Sequence, residues 1–223
     1  MTRLSKRLFA IASFVRSDAK VADIGCDHAL LDILLAYHNH ELKAIAIDNK
    51  RGALKQAMKN IEHYKMAETI DLRLGNGLNT VKADEIDTVI IAGMGYASIN
   101  EILTKDKEKL TNVNDLIIQP NTDYFRVRES VCQLGYFISH EKIVKEKEKL
   151  YLIIHFQKGK KKYNKKDYLL GPLLRLKEDN LYIEFLKDDI KKKEILLSQI
   201  PQKYFLRRQL VWVKILKLKQ EIK

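Results

Sequence analysis

The sequence predicts an α/β protein whose mostly parallel, doubly wound sheet ends in an antiparallel strand and is followed by an α-helical coiled-coil hairpin. Three observations support this fold class. Short apolar runs alternate with amphipathic helical patterns through residues 20–134. Two β-rich runs then follow one another without a helical pattern between them. Residues 173–216 place apolar side chains at steps of three and four, which is typical of helices.

The first predicted element is an amphipathic helix near the N-terminus. Apolar residues recur there at helical spacing, namely Leu4, Leu8, Ile11 and Val15. Thr2 or Ser5 can cap the start of this helix. Basic residues before a short apolar stretch also occur in secretory signal peptides, but Arg16 ends this stretch too early. We therefore expect a helix of the folded protein rather than a signal peptide.

Five parallel strands are predicted next, with helices between them. The strands are residues 20–25, 42–48, 69–74, 88–92 and 115–119, and the helical patterns are residues 29–38, 50–63, 97–109 and 124–134. The strand segments TVIIA and LIIQ are apolar at consecutive positions, which indicates strands covered on both faces. Right-handed crossovers then give a doubly wound fold.

The alternation of strand and helix patterns ends after Gly135. Residues 136–144 and 150–157 are predicted to form a hairpin that closes the sheet with an antiparallel strand. Apolar residues almost vanish in residues 159–167, so we predict a main domain of residues 1–158 and a helical domain of residues 159–223. Pro201 interrupts the apolar pattern of that second domain, which predicts two antiparallel helices.

The positive charge is concentrated in the tail. The chain has a net charge of +12, of which residues 158–223 contribute +11, from 19 Lys and Arg against 8 Asp and Glu. Residues 1–157 contribute only +1. This asymmetry favours a surface for a polyanion such as a nucleic acid, although a lysine-rich composition alone would produce the same count.

The composition also excludes several classes of protein. No apolar run approaches the roughly 20 residues of a membrane span, so we expect no membrane association. Cys26 and Cys132 form neither a disulfide framework nor a zinc motif, so we expect no metal and a reducing, cytoplasmic environment.

The stretch VADIGCDHALL after the first strand begins like a nucleotide-binding turn. Gly25 allows close approach of the backbone to a ligand, and Asp48, 23 residues later, is placed to bind ribose hydroxyls. Where a dinucleotide site has glycines, this turn has Asp27 and His28, whose bulk and charge disfavour a pyrophosphate. S-adenosylmethionine has a ribose, an adenine and an ammonium group but no phosphate, so it suits the turn better. An ordinary βα loop is the alternative.

Polar and glycine-rich loops follow the other strands at the same sheet edge. They supply the remaining predicted cofactor contacts, so that the full set is Asp23, Gly25, Cys26, Asp48, Asn49, Gly75, Asn76, Gly77, Ala92, Gly93, Met94 and Gly95. Asn76 can contact the adenine or cap a helix. Turn geometry alone would also explain any single one of these loops.

The motifs LSKRL, ADIGCDHA, GNGL, IAGMG and LIIQPN, in this order and spacing, resemble the bacterial tRNA (adenine(22)-N(1))-methyltransferase family. The similarity covers the whole chain and is weakest in the tail. It implies a class I, Rossmann-like methyltransferase domain followed by a helical hairpin, with S-adenosylmethionine as cofactor and tRNA as substrate. Cys26 stands where that family usually has a small residue, and Tyr96 where we would expect a glycine.

The reaction implied by this resemblance depends more on the placement of the adenine against the methyl group than on removal of a proton. Adenine N1 has a free lone pair and can attack the methyl group directly, so a strong general base is not required. Asp27 is expected either to stabilise the positive charge on the base or to bind the cofactor ammonium. His28 is expected to position the base or, alternatively, to pack or cap. Asn121 is expected to bind the N6 amino group or, alternatively, to cap the next helix.

A flipped-out target base in a folded tRNA requires phosphate contacts to offset the cost of unstacking. The candidate contacts are Lys6, Arg7, Arg126, Arg128, Lys160, Lys161 and Lys162, for each of which a solvated surface position is the alternative. We expect a monomer. The competing functions are a methyltransferase of another RNA or DNA base, a nicotinamide-dependent oxidoreductase and a non-catalytic RNA-binding protein.

Overall fold

The computed structural model describes residues 5–39, 41–82, 84–176 and 179–222. The chain forms two compact units, Met1–Lys162 and Tyr163–Lys223. Residues 159–162, which the sequence assigns to the helical domain, therefore belong to the first unit. Of the residues predicted for the first helix, Thr2 and Leu4 lie outside the described part of the chain, and Ser5 is its N-cap.

Among the described residues, the first unit has one seven-stranded sheet in the order β3-β2-β1-β4-β5-β7-β6. The strands are β1 Lys20–Ile24, β2 Lys43–Asp48, β3 Ile70–Leu74, β4 Thr88–Met94, β5 Asp115–Pro120, β6 Tyr136–Glu146 and β7 Lys149–Lys158. β1 to β5 pair in parallel, whereas β7 pairs antiparallel with both β5 and β6. The mostly parallel sheet with an antiparallel C-terminal strand is thus confirmed, and that strand is inserted between β5 and β6.

The helices of the first unit cover the two faces of this sheet. They are α1 Lys6–Ala12, α2 Leu30–His38, α3 Arg51–His63, α4 Tyr96–Lys105 and α5 Tyr124–Gln133, with a 3-10 turn at Lys107–Leu110. The single helix predicted for residues 97–109 is therefore divided at Asp106. The buried Asp106 carboxylate accepts a hydrogen bond from the Leu78 amide at 3.2 Å, which ties this break to the loop after β3.

The core is apolar on both faces of the central strands, as the consecutive apolar positions predict. Val21, Ile90 and Ile117 of three adjacent strands are fully buried against α1 and α2. Cys26, Ala46 and Ile61 belong to a second buried cluster, on the α3 side. The strand order reverses between β1 and β4, so a crevice opens beyond the carboxyl ends of these strands.

The second unit contains three helices within its described residues, α6 Lys165–Leu170, α7 Asn180–Gln199 and α8 Phe205–Ile222. α7 and α8 pack together as a helical hairpin, and Pro201 lies between them as predicted. Arg208 Nη1 donates hydrogen bonds to the carbonyls of Leu197 and Ile200, which satisfies groups at the C-terminal end of α7. The sequence analysis did not predict α6, which begins with a capping box formed by Asn164 and Asp167.

No helix in the described parts of the chain is long and apolar enough to cross a membrane.

Candidate active site

A cavity of about 820 Å³ lies beyond the carboxyl ends of β1 to β4. The structure places in its lining all twelve residues predicted to bind the cofactor: Asp23, Gly25, Cys26, Asp48, Asn49, Gly75, Asn76, Gly77, Ala92, Gly93, Met94 and Gly95. Asp27 and His28 also line it. Parallel strands bring these residues to one edge although they are far apart in the chain.

The turn after β1 is held by the neighbouring strand. The amides of Gly25 and Cys26 both donate to the Ile47 carbonyl, at 2.7 and 3.0 Å. Gly25 has φ +78°, and a Cβ there would lie 2.4 Å from Cε of Met94. Asp27 and Ala29 also have positive φ, at 52° and 54°, which is strained for residues with side chains. The turn is therefore a fixed wall of the cavity.

Asp48 ends β2 with a buried carboxylate that faces this turn. Its Oδ2 accepts a hydrogen bond from the Asp27 amide at 3.2 Å, and its Oδ1 accepts one from the Lys50 amide at 2.8 Å. Each carboxylate oxygen has a further lone pair for a ligand hydroxyl. The two backbone bonds therefore orient an acceptor that is suited to a ribose.

The loop after β3 forms a wall made of backbone. The Gly75 amide donates to the Asp48 carbonyl at 3.0 Å, and the Asn76 amide donates to Oδ1 of Asn79 at 2.9 Å. A Cβ at Gly75 would lie only 2.7 Å from the Asn79 and Thr80 side chains. This close packing within the loop requires glycine at position 75.

Two buried acids lie behind the lining. Asp23 of β1 is 4% exposed and Asp32 of α2 is fully buried, and the two carboxyl groups interact with each other. Neither Asp32 oxygen has a hydrogen-bond donor among the described residues. The two carboxyl groups can bond to each other only if one of them is protonated. Burial raises the pKa of Asp32 to about 7, and burial together with the charge of Asp32 raises that of Asp23 well above its ordinary value.

Cys26 is also buried in the lining, and burial raises the pKa of its thiol. It is therefore a neutral thiol at physiological pH, and the turn presents its backbone rather than a thiolate to a ligand.

Asp27 and His28 are exposed at the mouth of the cavity. Their side chains are 72% and 48% exposed, and His28 Nε2 lies 3.5 Å from Oδ2 of Asp27. The N-cap of α2 is Ala29, without a side-chain cap. The alternative assignment of His28 as a capping residue is therefore wrong, and about half of its side-chain surface is exposed at the mouth of the cavity.

Asn121 follows β5 and is exposed beside the cavity, just outside its lining. Its Nδ2 donates to the Gly93 carbonyl at 2.6 Å, and its Oδ1 accepts a hydrogen bond from Nε2 of Gln119 at 3.1 Å. The N-cap of α5 is Asp123, so the alternative role of Asn121 as the cap of that helix is wrong. Gln119 Oε1 in turn accepts a hydrogen bond from Arg7 Nη1 at 2.8 Å.

The basic residues predicted to contact RNA fall into separate environments. Lys6, Arg126 and the three lysines Lys160, Lys161 and Lys162 are exposed. Arg7 lines the cavity instead. The prediction that Arg128 contacts RNA is wrong, because its side chain is only 1% exposed and its Nε donates to Oε1 of the buried Glu141 at 2.7 Å.

The lining also contains residues that the sequence analysis did not assign to the cofactor. α4 contributes Ser98 and Glu101, and α1 contributes Arg7 and Leu8. None of the four lies at the end of a strand, which was the signal used to find the others. Among the described residues, no group of three or more His, Cys, Asp or Glu side chains is arranged to hold a metal ion.

Comparisons with known proteins agree with this geometry. Residues 4–154 match a family model described as a methyltransferase domain. The chain is 31% identical over 206 residues to the tRNA (adenine(22)-N(1))-methyltransferase of Bacillus subtilis, covering 90% of this chain and 87% of the relative. It is similar to the structure of Sp1610 from Streptococcus pneumoniae in complex with S-adenosyl-L-methionine, with a TM-score of 0.88, 32% identity and coverage of 99% and 100%. It is also similar to TrmK of M. capricolum in complex with S-adenosyl-homocysteine, with a TM-score of 0.82, 30% identity and coverage of 98% and 97%.

Proposed function

The chain belongs to the tRNA (adenine(22)-N(1))-methyltransferase family and transfers a methyl group from S-adenosylmethionine to N1 of that adenine, and we propose that the cavity beyond β1 to β4 is its active site. The observation that supports this assignment most directly is the convergence there of the β1 turn, Asp48 and the glycine loop after β3. The nicotinamide-dependent oxidoreductase and the non-catalytic RNA-binding protein are disfavoured by the family membership.

The lining is chemically suited to S-adenosylmethionine. Asp48 offers carboxylate oxygens for the ribose hydroxyls, and the Gly75–Gly77 loop next to it lines the cavity where adenine can lie. The exposed Asp27 carboxylate can bind a cationic group of the ligand, and S-adenosylmethionine has no phosphate that this carboxylate would repel. When bound, the cofactor supplies a methyl group that is activated by the sulfonium charge.

Asp27 is proposed as the acid that stabilises the charge appearing on the base. Methylation of N1 turns a neutral adenine into a cation, so an oriented carboxylate at the cavity mouth lowers the energy of that change. Asp27 is suited to this role because its backbone is fixed by the bond from its amide to Asp48, whereas its side chain is exposed.

His28 and Asn121 are proposed to position the adenine. The His28 ring lies beside Asp27 and can stack on or bond to a base. The Asn121 side chain is fixed on one side by Gly93 and Gln119, and its amide retains one N–H and one oxygen lone pair for an adenine edge.

We propose that one part of the chain binds the cofactor and catalyses the reaction, whereas the other part binds the tRNA. Residues 1–158 bind the cofactor and catalyse the transfer, and the basic residues 159–223, Lys160–Lys162 among them, bind the tRNA, with Lys6 and Arg126 as further phosphate contacts. The exposure of these cations and the excess of positive charge in the tail support this division. We also propose that the protein acts as a monomer in the cytoplasm, where its two free cysteines stay reduced.

The deciding experiment is methyl transfer from radiolabelled S-adenosylmethionine to unmodified tRNA, with the modified nucleotide mapped. We expect one labelled adenine per tRNA, at position 22 and on N1. A tRNA transcript with guanine at that position is the matched control and should remain unlabelled. Label at another nucleotide would contradict the assignment of the substrate.

A further inference from the structure

Tyr96 stands where we would expect a glycine, and it has no role in the function proposed above. It is the first residue of α4 and directly follows Gly95, which lines the cavity. Ser98 and Glu101 of the same helix also line the cavity. Because successive helical residues are about 100° apart around the axis, Tyr96 lies on the opposite side of α4 from both. Its ring therefore faces α5 and not the wall of the cavity.

On that side the Tyr96 ring supports an arginine of α5. Cζ of Arg126 lies over the ring, 5.6 Å from its centroid, which is within the range of a cation–π interaction. Nε of Arg126 also lies 3.3 Å from Oδ2 of Asp123, the N-cap residue of α5. The Arg126 side chain is nevertheless 59% exposed. Two contacts thus restrict the guanidinium, and more than half of the side-chain surface stays open to a ligand.

This pair lies beside Asn121, the residue proposed to bind the adenine edge. The Asn121 amide N–H donates to the Met94 carbonyl at 2.8 Å, and its Nδ2 donates to the Gly93 carbonyl. These bonds join the loop after β4 to the loop after β5. Tyr96 continues the first loop, and Arg126 lies in the first turn of the helix that follows the second. The pair is therefore at the same end of the sheet as Asn121.

The chemistry of the pair complements that of the Asn121 amide. A side-chain amide binds a purine by hydrogen bonds in the plane of the base, so the face of the base still needs a partner. Bases that leave their stack in RNA are covered by aromatic rings or by the guanidinium planes of arginines. A guanidinium that is held on an aromatic ring, next to an amide, supplies such a face.

We propose that the guanidinium of Arg126, supported by Tyr96, stacks on the adenine that is methylated. This proposal rests on the proposed function, and in particular on the role of Asn121. Arg126 contacts the substrate, and Tyr96 is a positioning residue that acts through it. The ion pair with Asp123 offsets the charge of Arg126, so the plane can cover a base that becomes cationic. Stacking uses the face of the guanidinium, and its N–H edge remains for the phosphate contact proposed above.

The test compares a tRNA that has adenine at position 22 with one that has an abasic nucleotide there. Both are titrated against the full chain in the presence of S-adenosylhomocysteine. The abasic tRNA keeps every phosphate and lacks only the base, so the ratio of the two affinities measures the contacts to that base. We expect the wild-type protein to prefer the adenine tRNA by about 5- to 150-fold, as for one stacked base.

Two substitutions test the two members of the pair. Arg126→Lys keeps the charge but loses the planar group, and Tyr96→Leu removes the ring but keeps an apolar side chain. In each variant we expect the ratio to fall by about 3- to 30-fold, because only the adenine tRNA loses affinity. Tyr96→Phe keeps the ring and should retain the wild-type ratio, which a merely structural need for the tyrosine would not predict.

Arg51→Lys is the matched control, since Arg51 is exposed at the start of α3 and lies outside the lining. It should leave the ratio unchanged. All variants should bind S-adenosylhomocysteine as the wild type does, which shows that the cavity is intact.

A wild-type ratio in Arg126→Lys would overturn the proposal, whatever the effect of Tyr96→Leu. Equal weakening of both tRNAs in Arg126→Lys would also overturn it and would leave Arg126 as a phosphate contact alone. Equal affinity of the wild-type protein for the two tRNAs would show that the base is not held, which is likewise contrary to the proposal. Failure of the wild-type protein to bind S-adenosylhomocysteine or to methylate position 22 would instead overturn the proposed function.

Discussion

Arg128 of α5 donates a hydrogen bond from Nε to Oε1 of Glu141 on β6 at 2.7 Å, and both side chains are shielded from solvent. The pair joins a helix that packs on the sheet to its edge strand. Removal of one partner would leave the other charge buried and uncompensated, and this cost greatly exceeds the contribution of an exposed ion pair.

We therefore predict that Arg128→Met destabilises the protein by about 3–5 kcal/mol, as measured by urea unfolding. The double variant Arg128→Met with Glu141→Leu should recover most of that loss, because it leaves no buried charge. Arg126→Met, on the same helix but 59% exposed, is the control and should change the free energy of unfolding by less than about 1 kcal/mol. A double variant no more stable than Arg128→Met would contradict this account.

Asp48→Asn should weaken binding of S-adenosylhomocysteine about 10- to 100-fold in calorimetry. The substitution keeps the shape of the side chain but removes the charge that accepts hydrogen bonds from ribose hydroxyls, each worth about 1.5–3 kcal/mol. Glu68→Gln removes an exposed acid outside the lining and should have no effect. Unchanged affinity in Asp48→Asn would show that ribose binds elsewhere.

Because of the buried Asp23–Asp32 pair, we predict that the free energy of unfolding falls as pH rises from about 4 to about 7. Asp32 ionises near 3.8 when unfolded but near 7 when folded, so across this window the native state binds more protons than the unfolded state. The stabilisation from the protonated pair is thus complete below the unfolded pKa and is lost as pH passes through the folded pKa.

Asp32→Asn should reduce this pH dependence, because an amide can donate to Asp23 at every pH and only Asp23 of the pair still titrates. We expect the variant to be more stable than wild type at pH 8, by roughly 1–4 kcal/mol, and the difference to shrink at pH 5. Urea unfolding at the two pH values measures it, with Glu68→Gln as the control. A difference that is equal at both pH values would rule out a shared proton.

Asp27→Asn should lower kcat for methyl transfer about 10- to 100-fold, with a smaller change in the affinity for S-adenosylhomocysteine. Asparagine tolerates the positive φ of 52° at this position, so the turn should keep its shape. Steady-state methylation at saturating tRNA and cofactor measures kcat, and Asp18→Asn, an exposed acid outside the lining, serves as the comparison. If kcat stays at the wild-type value, Asp27 does not stabilise the charged base.

Simultaneous replacement of Lys160, Lys161 and Lys162 by alanine should weaken tRNA binding and flatten its dependence on salt. Each lost phosphate contact reduces the slope of log K against log salt concentration by about 0.7–0.9. The triple variant of Lys43, Lys55 and Lys59, which are exposed elsewhere in the first unit, changes the net charge equally and is the control. Equal losses in both triple variants would indicate attraction by overall charge and not local contacts.

The sequence predicted the strands well because each is a short apolar run bounded by polar turns. The ends of β1 to β5 lie within two residues of their predicted positions. The same signal located the cofactor candidates, since parallel strands place their carboxyl ends at one edge. It did not find α6, which is short and mostly polar, although the capping pair Asn164 and Asp167 was present in the sequence.

The errors concern residues whose environment is set by distant parts of the chain. Arg128 has the sequence surroundings of a surface cation, and only the packing of α5 against β6 gives it a buried partner. For Arg7, too, the sequence does not show that α1 brings the side chain into the lining of the cavity. Asp32 stands out as a charge among apolar neighbours in LLDILLA, but its partner Asp23 becomes evident only when α2 packs beside β1.

The hydrogen bonds that the Glu146 carboxylate accepts from Ser5 Oγ and the Lys6 amide, at the start of α1, have a consequence for synthesis of the protein on the ribosome. The strands and glycine turns of the cavity are all translated before residue 121, whereas the acid that fastens α1 arrives with the last strand pair. A nascent chain thus has most of its binding crevice early but cannot anchor Arg7 until the C-terminal hairpin of the sheet has emerged. The part of the cavity wall that α1 supplies, Arg7 and Leu8, is therefore completed late, when the first unit is nearly complete.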